Sequence, residues 1–393
     1  MLNLGQEYLG CTYKMKRGIQ GRLLQRSIGD ENYCCFIPNP LPPQHEIDIP
    51  SFSALLEKAN LAIGALNGVA STVPDPSVIN YMYVRKEAVL SSQIEGTQST
   101  LDDLMLYEAR QIQGIPVNDV TEVSSYVAAL NHGMERINSG FPLSLRLIRE
   151  IHSILLQNSR GKNKLPGEFR NSQNWIGDPR PGNAKFVPCP PEDLMTTLGQ
   201  LEIFMNTEDN MSTLVKIALI HLQFETIHPF LDGNGRLGRL LITLFLQTKG
   251  ILKSSFFYLS LFFKKNRSLY YNHLNNVRYN GDWESWIEFF LEGVIEIAND
   301  ARKTVTKIQK LFTDDENKLS SLKRASVSAK EVLYQFQKKP ILTVAEIEQH
   351  INLSRPTIIS AINNLIKVGI LQNISEKKWG QIYAYSRYTD LLN

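Results

Sequence analysis

The sequence predicts a mainly α-helical fold with a small helix-and-strand unit at its C-terminal end. Apolar residues recur at i, i+3 and i+4 through most of the chain after residue 50. One stretch of the central part, 175–188, reads as a β-hairpin, and the last seventy or so residues read as three helices followed by two short strands. At 393 residues, with 43% hydrophobic and 21% charged residues, the chain has the composition of an ordinary globular protein of two or three domains. The expected division is an N-terminal arm and helical region over 1–115, a core over 116–300, a linker over 301–324 and a terminal unit over 325–393.

Composition excludes several classes. No apolar run is long enough to span a membrane, and Met1 to Arg22 has no signal-peptide core, so a cytoplasmic protein with no membrane partner is expected. Cys11, Cys34, Cys35 and Cys189 show neither a C-x-x-C pair nor zinc spacing and are expected as reduced thiols. The net charge is +3, and the positive excess is concentrated after Lys323.

Taken in order, residues 1–50 carry little pattern, and Asn39-Pro40-Leu41-Pro42-Pro43 reads as a stiff extended stretch closing the arm. Helices are expected over Ser53–Leu66 and Tyr81–Glu95, with a turn at Pro74-Asp75-Pro76 and a C-cap at Gly96. Thr100–Gln113, Thr121–Ile137 and Leu143–Gln157 are three more. His132, His152 and His221 are expected as core or surface histidines rather than ligands. Trp175-Ile176, the Gly- and Pro-rich turn Gly177–Asn183, and Ala184–Pro188 make the hairpin. Trp283–Ala298 is a further helix, and Asp314-Asp315-Glu316-Asn317 is expected to begin a linker. Helices over Ser328–Gln337, Val344–Ile351 and Pro356–Lys367 follow. Strands at Ile370-Leu371 and Ile382–Tyr385 flank a turn at Lys377-Lys378-Trp379-Gly380.

Chemistry is concentrated in twelve residues, His228 to Arg239, between two helical segments. Downstream, Leu237, Leu240, Leu241, Leu244 and Phe245 follow an amphipathic spacing, so the stretch is a loop opening into a helix N-terminus. That end of a helix has unpaired N–H groups and partial positive charge, and it holds phosphates. Gly233 and Gly235 allow close backbone approach. Arg236 and Arg239, three apart, offer two forked donors for a polyphosphate. Asp232 suits Mg²⁺ held against the same phosphates, and His228 takes a proton near neutral pH. Together they describe phosphoryl or nucleotidyl transfer. Gly233 to Gly238 also fits G-x-G-x-x-G, but the preceding segment is helical and no acid occurs between Asp232 and Asp282, which excludes a dinucleotide fold.

The twelve residues match H-P-F-x-[D/E]-G-N-G-R-x-x-R at every fixed position, and the chain resembles the Fic family. That resemblance implies a Fic-fold helical core with the hairpin as a flap and a protein adenylyltransferase (AMPylation) activity. ATP and Mg²⁺ are then bound, with His228 as catalytic base and Asp232 on the metal. Gly233, Asn234, Gly235, Arg236, Leu237, Gly238, Arg239 and His228 contact ATP, and Lys265 joins them on resemblance alone. Phe230 is expected to anchor the loop in the core. Gly235 favours nucleotidyl transfer, since Doc-type kinases depart from the pattern there. Ser91 to Gly96 also resembles the family's inhibitory motif [S/T]-x-x-x-E-[G/N]. Glu95 is thereby expected to pair with Arg239 and block the γ-phosphate site. The flap, 175–188, is expected to dock an extended segment of a target protein by strand addition. A de-AMPylating enzyme and a nucleotide-sensing DNA-binding regulator are the alternatives.

The C-terminal segment resembles a winged helix-turn-helix with Arg355–Lys367 as its recognition helix. Its exposed side chains are mainly Ser, Thr and Asn, which leaves DNA binding and a docking or homodimerising role both open.

Overall fold

The computed structural model describes residues 17–110, 117–157, 159, 161–253, 256–375 and 380–392. It opens with a feature not anticipated above, an antiparallel hairpin of β1 (Gly21–Ile28) and β2 (Glu31–Pro38). Its two-residue turn, Gly29-Asp30, is a standard hairpin signal, with Gly29 at φ 57°. β1 is mostly exposed and lacks apolar alternation, which is why the strand was not legible.

Helix α1 (Ile49–Ala70) buries Ala59, Ala62, Ile63, Leu66 and Ala70. Helix α2 (Pro76–Ile94) starts five residues before its expected N-terminus. The turn at Pro74-Asp75-Pro76 is its cap, with the Asp75 carboxylate accepting from Ser77 N–H and Pro76 in the first turn. α2 ends where expected, with Glu95 as C-cap and Gly96 at φ 102°. Helix α3 (Leu101–Arg110) falls within the third expected helix, whose remaining residues 111–113 lie outside the described ones. Helices α4 (Val117–Asn138) and α5 (Leu145–Leu156) pack side by side. At Gly133 a Cβ would overlap Leu244 and touch Ile151, so this glycine is what lets α4 approach so closely.

The expected strands of the 175–188 hairpin are reduced to one bridge, Ile176 with Phe186. Pro179, Pro181 and Pro188 lack the N–H that a ladder needs. Beyond the bridge, the Val187 carbonyl accepts from Phe36 N–H of β2 at 2.9 Å. The flap is thus a loop rooted on the N-terminal hairpin.

Helix α6 (Pro191–Asn206) leads to α7 (Thr213–Ile227), which is buried on all sides, and then to the signature loop and α8 (Asn234–Thr248). Helices α9 (Ser260–Lys265) and α10 (Arg267–Asn280) follow. Helix α11 (Trp283–Leu319) is twice as long as expected. The segment read as a linker, 301–324, is its second half plus a short 3-10 stretch, Ser320–Ala325, kinked at Lys323. Ala301, Val305, Ile308 and Leu311 continue its buried stripe against α1. Asp314–Asn317 lies inside this helix. Asp315 is fully buried and accepts from Tyr385 Oη at 2.7 Å, Arg387 at 2.7 Å and Lys318 at 2.7 Å. Tyr385 and Arg387 lie about seventy residues further along the chain, so nothing near the acidic run marked it as buried helix rather than linker.

The terminal unit comprises α12 (Ser326–Lys338), β3 (Ile341–Thr343), α13 (Val344–Glu348), α14 (Arg355–Lys367), β4 (Gln372–Asn373), β5 (Ile382–Ala384) and α15 (Ser386–Thr389). Its sheet has the order β3-β5-β4, one strand more than expected. The strand placed at Ile370-Leu371 begins two residues later, those two side chains being buried. Lys377, Lys378 and Trp379 lie outside the described residues. A single apolar core runs from Ile37 to Leu392, so the terminal unit shares the core of the rest. No helix among the described residues is long and apolar enough to cross a membrane.

Candidate active site

The site forms where α7 ends and α8 begins. His228 caps α7 in the left-handed conformation, φ 50° and ψ 63°, which is uncommon outside glycine and needs external support. Arg170 supplies it from the root of the flap. Its Nε donates to the His228 carbonyl at 3.0 Å, its own N–H donates to the Pro229 carbonyl at 3.0 Å, and Nη2 donates to the Cys189 carbonyl. Asn174 Nδ2 donates to the Phe230 carbonyl at 2.8 Å. Burial, then the neighbouring Arg170 and Arg278, depress the imidazole pKa to about 4. His228 is therefore neutral at physiological pH and has a lone pair to accept a proton.

The loop is closed by its own asparagine. Asn234 Oδ1 accepts from Phe230 N–H and Nδ2 donates to the Phe230 carbonyl, both at 2.8 Å. The amide expected to contact ATP is thus engaged in shaping the loop. Phe230 is fully buried and stacks on His152 with centroids 3.7 Å apart, anchoring the loop in the core. His152 accepts from Gly167 N–H at Nδ1, so its Nε2 carries the proton and donates to the Asp232 carbonyl at 3.0 Å. Burial holds that imidazole near pKa 4.

Gly233 stands at φ 79° as the N-cap of α8. Asp232 Oδ1 accepts from Gly233 N–H at 2.6 Å and from Arg236 at 3.3 Å, and its side chain is 40% exposed. No cluster of three His, Cys, Asp or Glu suited to a metal occurs among the described residues. One accessible carboxylate is nonetheless the donor set Mg²⁺ uses when phosphates supply the rest.

The two arginines diverge. Arg236, buried, pairs with Glu122 of α4 as well as Asp232. Arg239, also buried, turns to α2. Its Nε donates to Ser91 Oγ at 2.9 Å, and Nη2 donates to the Ser91 carbonyl and to Glu95 Oε1, each at 2.8 Å. Burial tends to raise the Glu95 pKa, but Arg239, with Arg236 and His228 beyond it, holds it below the usual value. At Gly235 a Cβ would overlap Glu95 Oε1, so the absence of a side chain there admits the carboxylate.

Two expected contact residues face elsewhere: Leu237 is in the core, and Gly238 gives its carbonyl to His221 Nδ1 at 3.0 Å. Lys265 is not brought to the site. Its ammonium pairs with Glu296 of α11 at 3.0 Å, half exposed. Glu122, Arg170 and Asn174 were missed, because each reaches the loop from another element with no local motif to mark it. A cavity of about 340 Å³ opens beside Glu95. The flap residues Ile176, Gly177, Lys185 and Phe186 line one side, and Arg267, Tyr271, Leu274, Asn275 and Arg278 of α10 the other.

Fold and site together define a helical protein with two buried arginines in the first turns of a helix, a neutral histidine just before it and a flap beside the cavity. Residues 53–135 match the family model described as Fic/DOC family N-terminal, and residues 142–246 match the one described as Fic/DOC family. Over these two segments the chain belongs to the Fic/DOC family. It is 25% identical over 257 residues to the protein adenylyltransferase Fic of Drosophila willistoni, covering 64% of this chain and 47% of that one. It is 26% identical over 175 residues to a probable protein adenylyltransferase of Aquifex aeolicus, covering 44% and 50%. The chain thus spans about half the length of these curated relatives. Two solved structures share the fold. A Fic family protein from Desulfovibrio desulfuricans has a TM-score of 0.56 at 20% identity, covering 87% of this chain and 98% of that one. A Fic-domain signalling protein from Bacteroides thetaiotaomicron has a TM-score of 0.51 at 20% identity, covering 64% and 97%.

Proposed function

We propose that this protein is an adenylyltransferase that moves AMP from ATP to a Ser, Thr or Tyr hydroxyl of a target protein and is held quiet by Glu95. The observation that carries it is a neutral His228 beside a helix N-terminus whose Arg239 is already paired with a carboxylate of the same chain. Relatives named protein adenylyltransferase support the same reaction.

In this scheme the phosphates of ATP lie along the first turn of α8, at Gly233–Arg236. Asp232 holds Mg²⁺, which supplies neutralisation of phosphate charge. His228 accepts the proton of the attacking hydroxyl as its oxygen bonds to the α-phosphorus. The bond from that phosphorus to the bridging oxygen breaks, and pyrophosphate leaves with its charge met by Arg239 and Arg236. Because Glu95 occupies the Arg239 guanidinium, a triphosphate must displace it. The target lies along the 175–188 flap, and Tyr271 walls the base. The terminal unit serves as a winged helix-turn-helix for DNA or for a second copy of the chain. A gel shift at two salt concentrations separates these roles, because phosphate contacts are salt-dependent.

Incubation with α-labelled ATP and Mg²⁺ tests the reaction class. Label is expected in protein, and His228→Ala is expected to lower it by a factor of about 10² to 10⁴, the usual worth of a general base. Transfer from γ-labelled ATP alone contradicts nucleotidyl transfer and makes the enzyme a kinase.

A further inference from the structure

One acidic side chain at the same place has no part in that scheme. Glu225 lies on α7, one turn before His228. It is 6% exposed, and its Oε1 is buried without a hydrogen-bond partner. An orphaned polar atom of this kind carries an uncompensated desolvation cost, which a purely structural residue in an apolar helix has no reason to bear. Its position is built in: at Gly238 a Cβ would overlap Glu225 Oε1, so the glycine one turn into α8 is what admits the carboxyl. Glu225 lines the 340 Å³ cavity together with Glu95.

The charged and titratable groups facing it come from every neighbouring element. Arg239 comes from α8, Glu95 from the end of α2, and Arg278, Tyr270 and Tyr271 from α10, with His228 on its own helix. Arg278 is largely engaged elsewhere, donating to Thr226 Oγ1 at 3.0 Å, Asn275 Oδ1 at 3.1 Å and the Glu225 carbonyl at 3.2 Å.

We propose that Glu225 is a further binding residue of the anion site, whose protonated carboxyl donates from Oε1 to the triphosphate that takes the place of Glu95 beside Arg239. This rests on the nucleotide-transfer scheme above and adds a protonation requirement to it. A neutral carboxyl has a donor, whereas an ionised one has only acceptors and repels phosphate. Burial raises the Glu225 pKa to about 7; Arg239 opposes that rise and Glu95 adds to it. Exchanging the single charge of Glu95 for a more highly charged triphosphate favours the protonated form further. A site in which Glu225 is ionised must therefore take up one proton to bind.

ATP affinity between pH 6 and 8.5 tests this, with Glu95→Gly/His228→Ala compared against Glu95→Gly/His228→Ala/Glu225→Gln. The first substitution opens the site and the second stops turnover. The glutamine keeps a donor at every pH, and the comparison cancels the titration of ATP itself. Relative to the glutamine protein, the Glu225 protein is expected to lose roughly tenfold in affinity between pH 7 and 8.5. Calorimetry in buffers of different ionisation enthalpy gives a readout that needs no Glu225 variant. Above about pH 8, where ATP is fully ionised, close to one proton is expected to be taken up per ATP bound. Parallel pH profiles, or no proton uptake, overturn the role of Glu225 and leave nucleotide transfer standing. Absence of ATP binding at every pH in the opened protein overturns the transfer scheme and this role together.

Discussion

His228 illustrates what one residue needs in order to act. Its type and neighbours were legible, because the signature is local and every member lies within twelve positions. Its backbone conformation and its neutral state were not, because they depend on Arg170, Asn174 and Arg278, which arrive from other elements. Arg236 was legible as a cation, but its buried partner Glu122 sits 114 residues away with no motif around it. Removing one member of such a pair leaves an uncompensated charge, so Glu122→Ala is expected to lose on the order of 3 kcal/mol of unfolding free energy. Chemical denaturation measures it, and a change below about 1 kcal/mol would mean that Asp232 alone satisfies Arg236.

Helix α2 is the element on which the proposed control depends. Its C-terminal end holds Glu95 and Ser91 against Arg239, and its middle is tied to α4 and α9 through Glu87, which accepts from Tyr126 and Ser260. The Ser91–Gly96 motif was readable in sequence, whereas Glu87 looked like any helical glutamate. Burial raises the Glu87 pKa to about 7 from an ordinary 4.5. The folded state then binds a proton that the unfolded state releases, so this stabilisation is full below about pH 4.5 and is lost as pH rises to about 7. The stability difference between wild type and Glu87→Gln is expected to shift by about 3 kcal/mol across that window, at 1.36 kcal/mol per pKa unit. Denaturation curves at pH 5 and 7.5 check the sign, and equal differences at both would contradict a neutral Glu87.

At the scale of the whole molecule, the mainly helical plan was readable because amphipathic spacing is local. The joins between parts were not. The terminal unit grips the other end of α2, with Tyr388 Oη donating to the Val78 carbonyl at 3.1 Å and Tyr334 Oη to the Asp75 cap at 2.7 Å. It is fastened to α11 through the buried Asp315. These contacts predict one cooperative unfolding transition for the whole chain. Asp315→Ala is expected to cost on the order of 2 kcal/mol through its charge-assisted bonds and to separate melting of the terminal unit from the rest. An unchanged single transition would place the coupling elsewhere. In the proposed function the site is complete and Glu95 holds it shut through Arg239. Mass spectrometry of purified protein incubated with ATP and Mg²⁺, wild type against Glu95→Gly, tests it most directly. A charge-assisted bond of about 1.5–3 kcal/mol corresponds to a gain of about tenfold or more in adenylylated protein. Equal modification of the two proteins, or none in either, would contradict it.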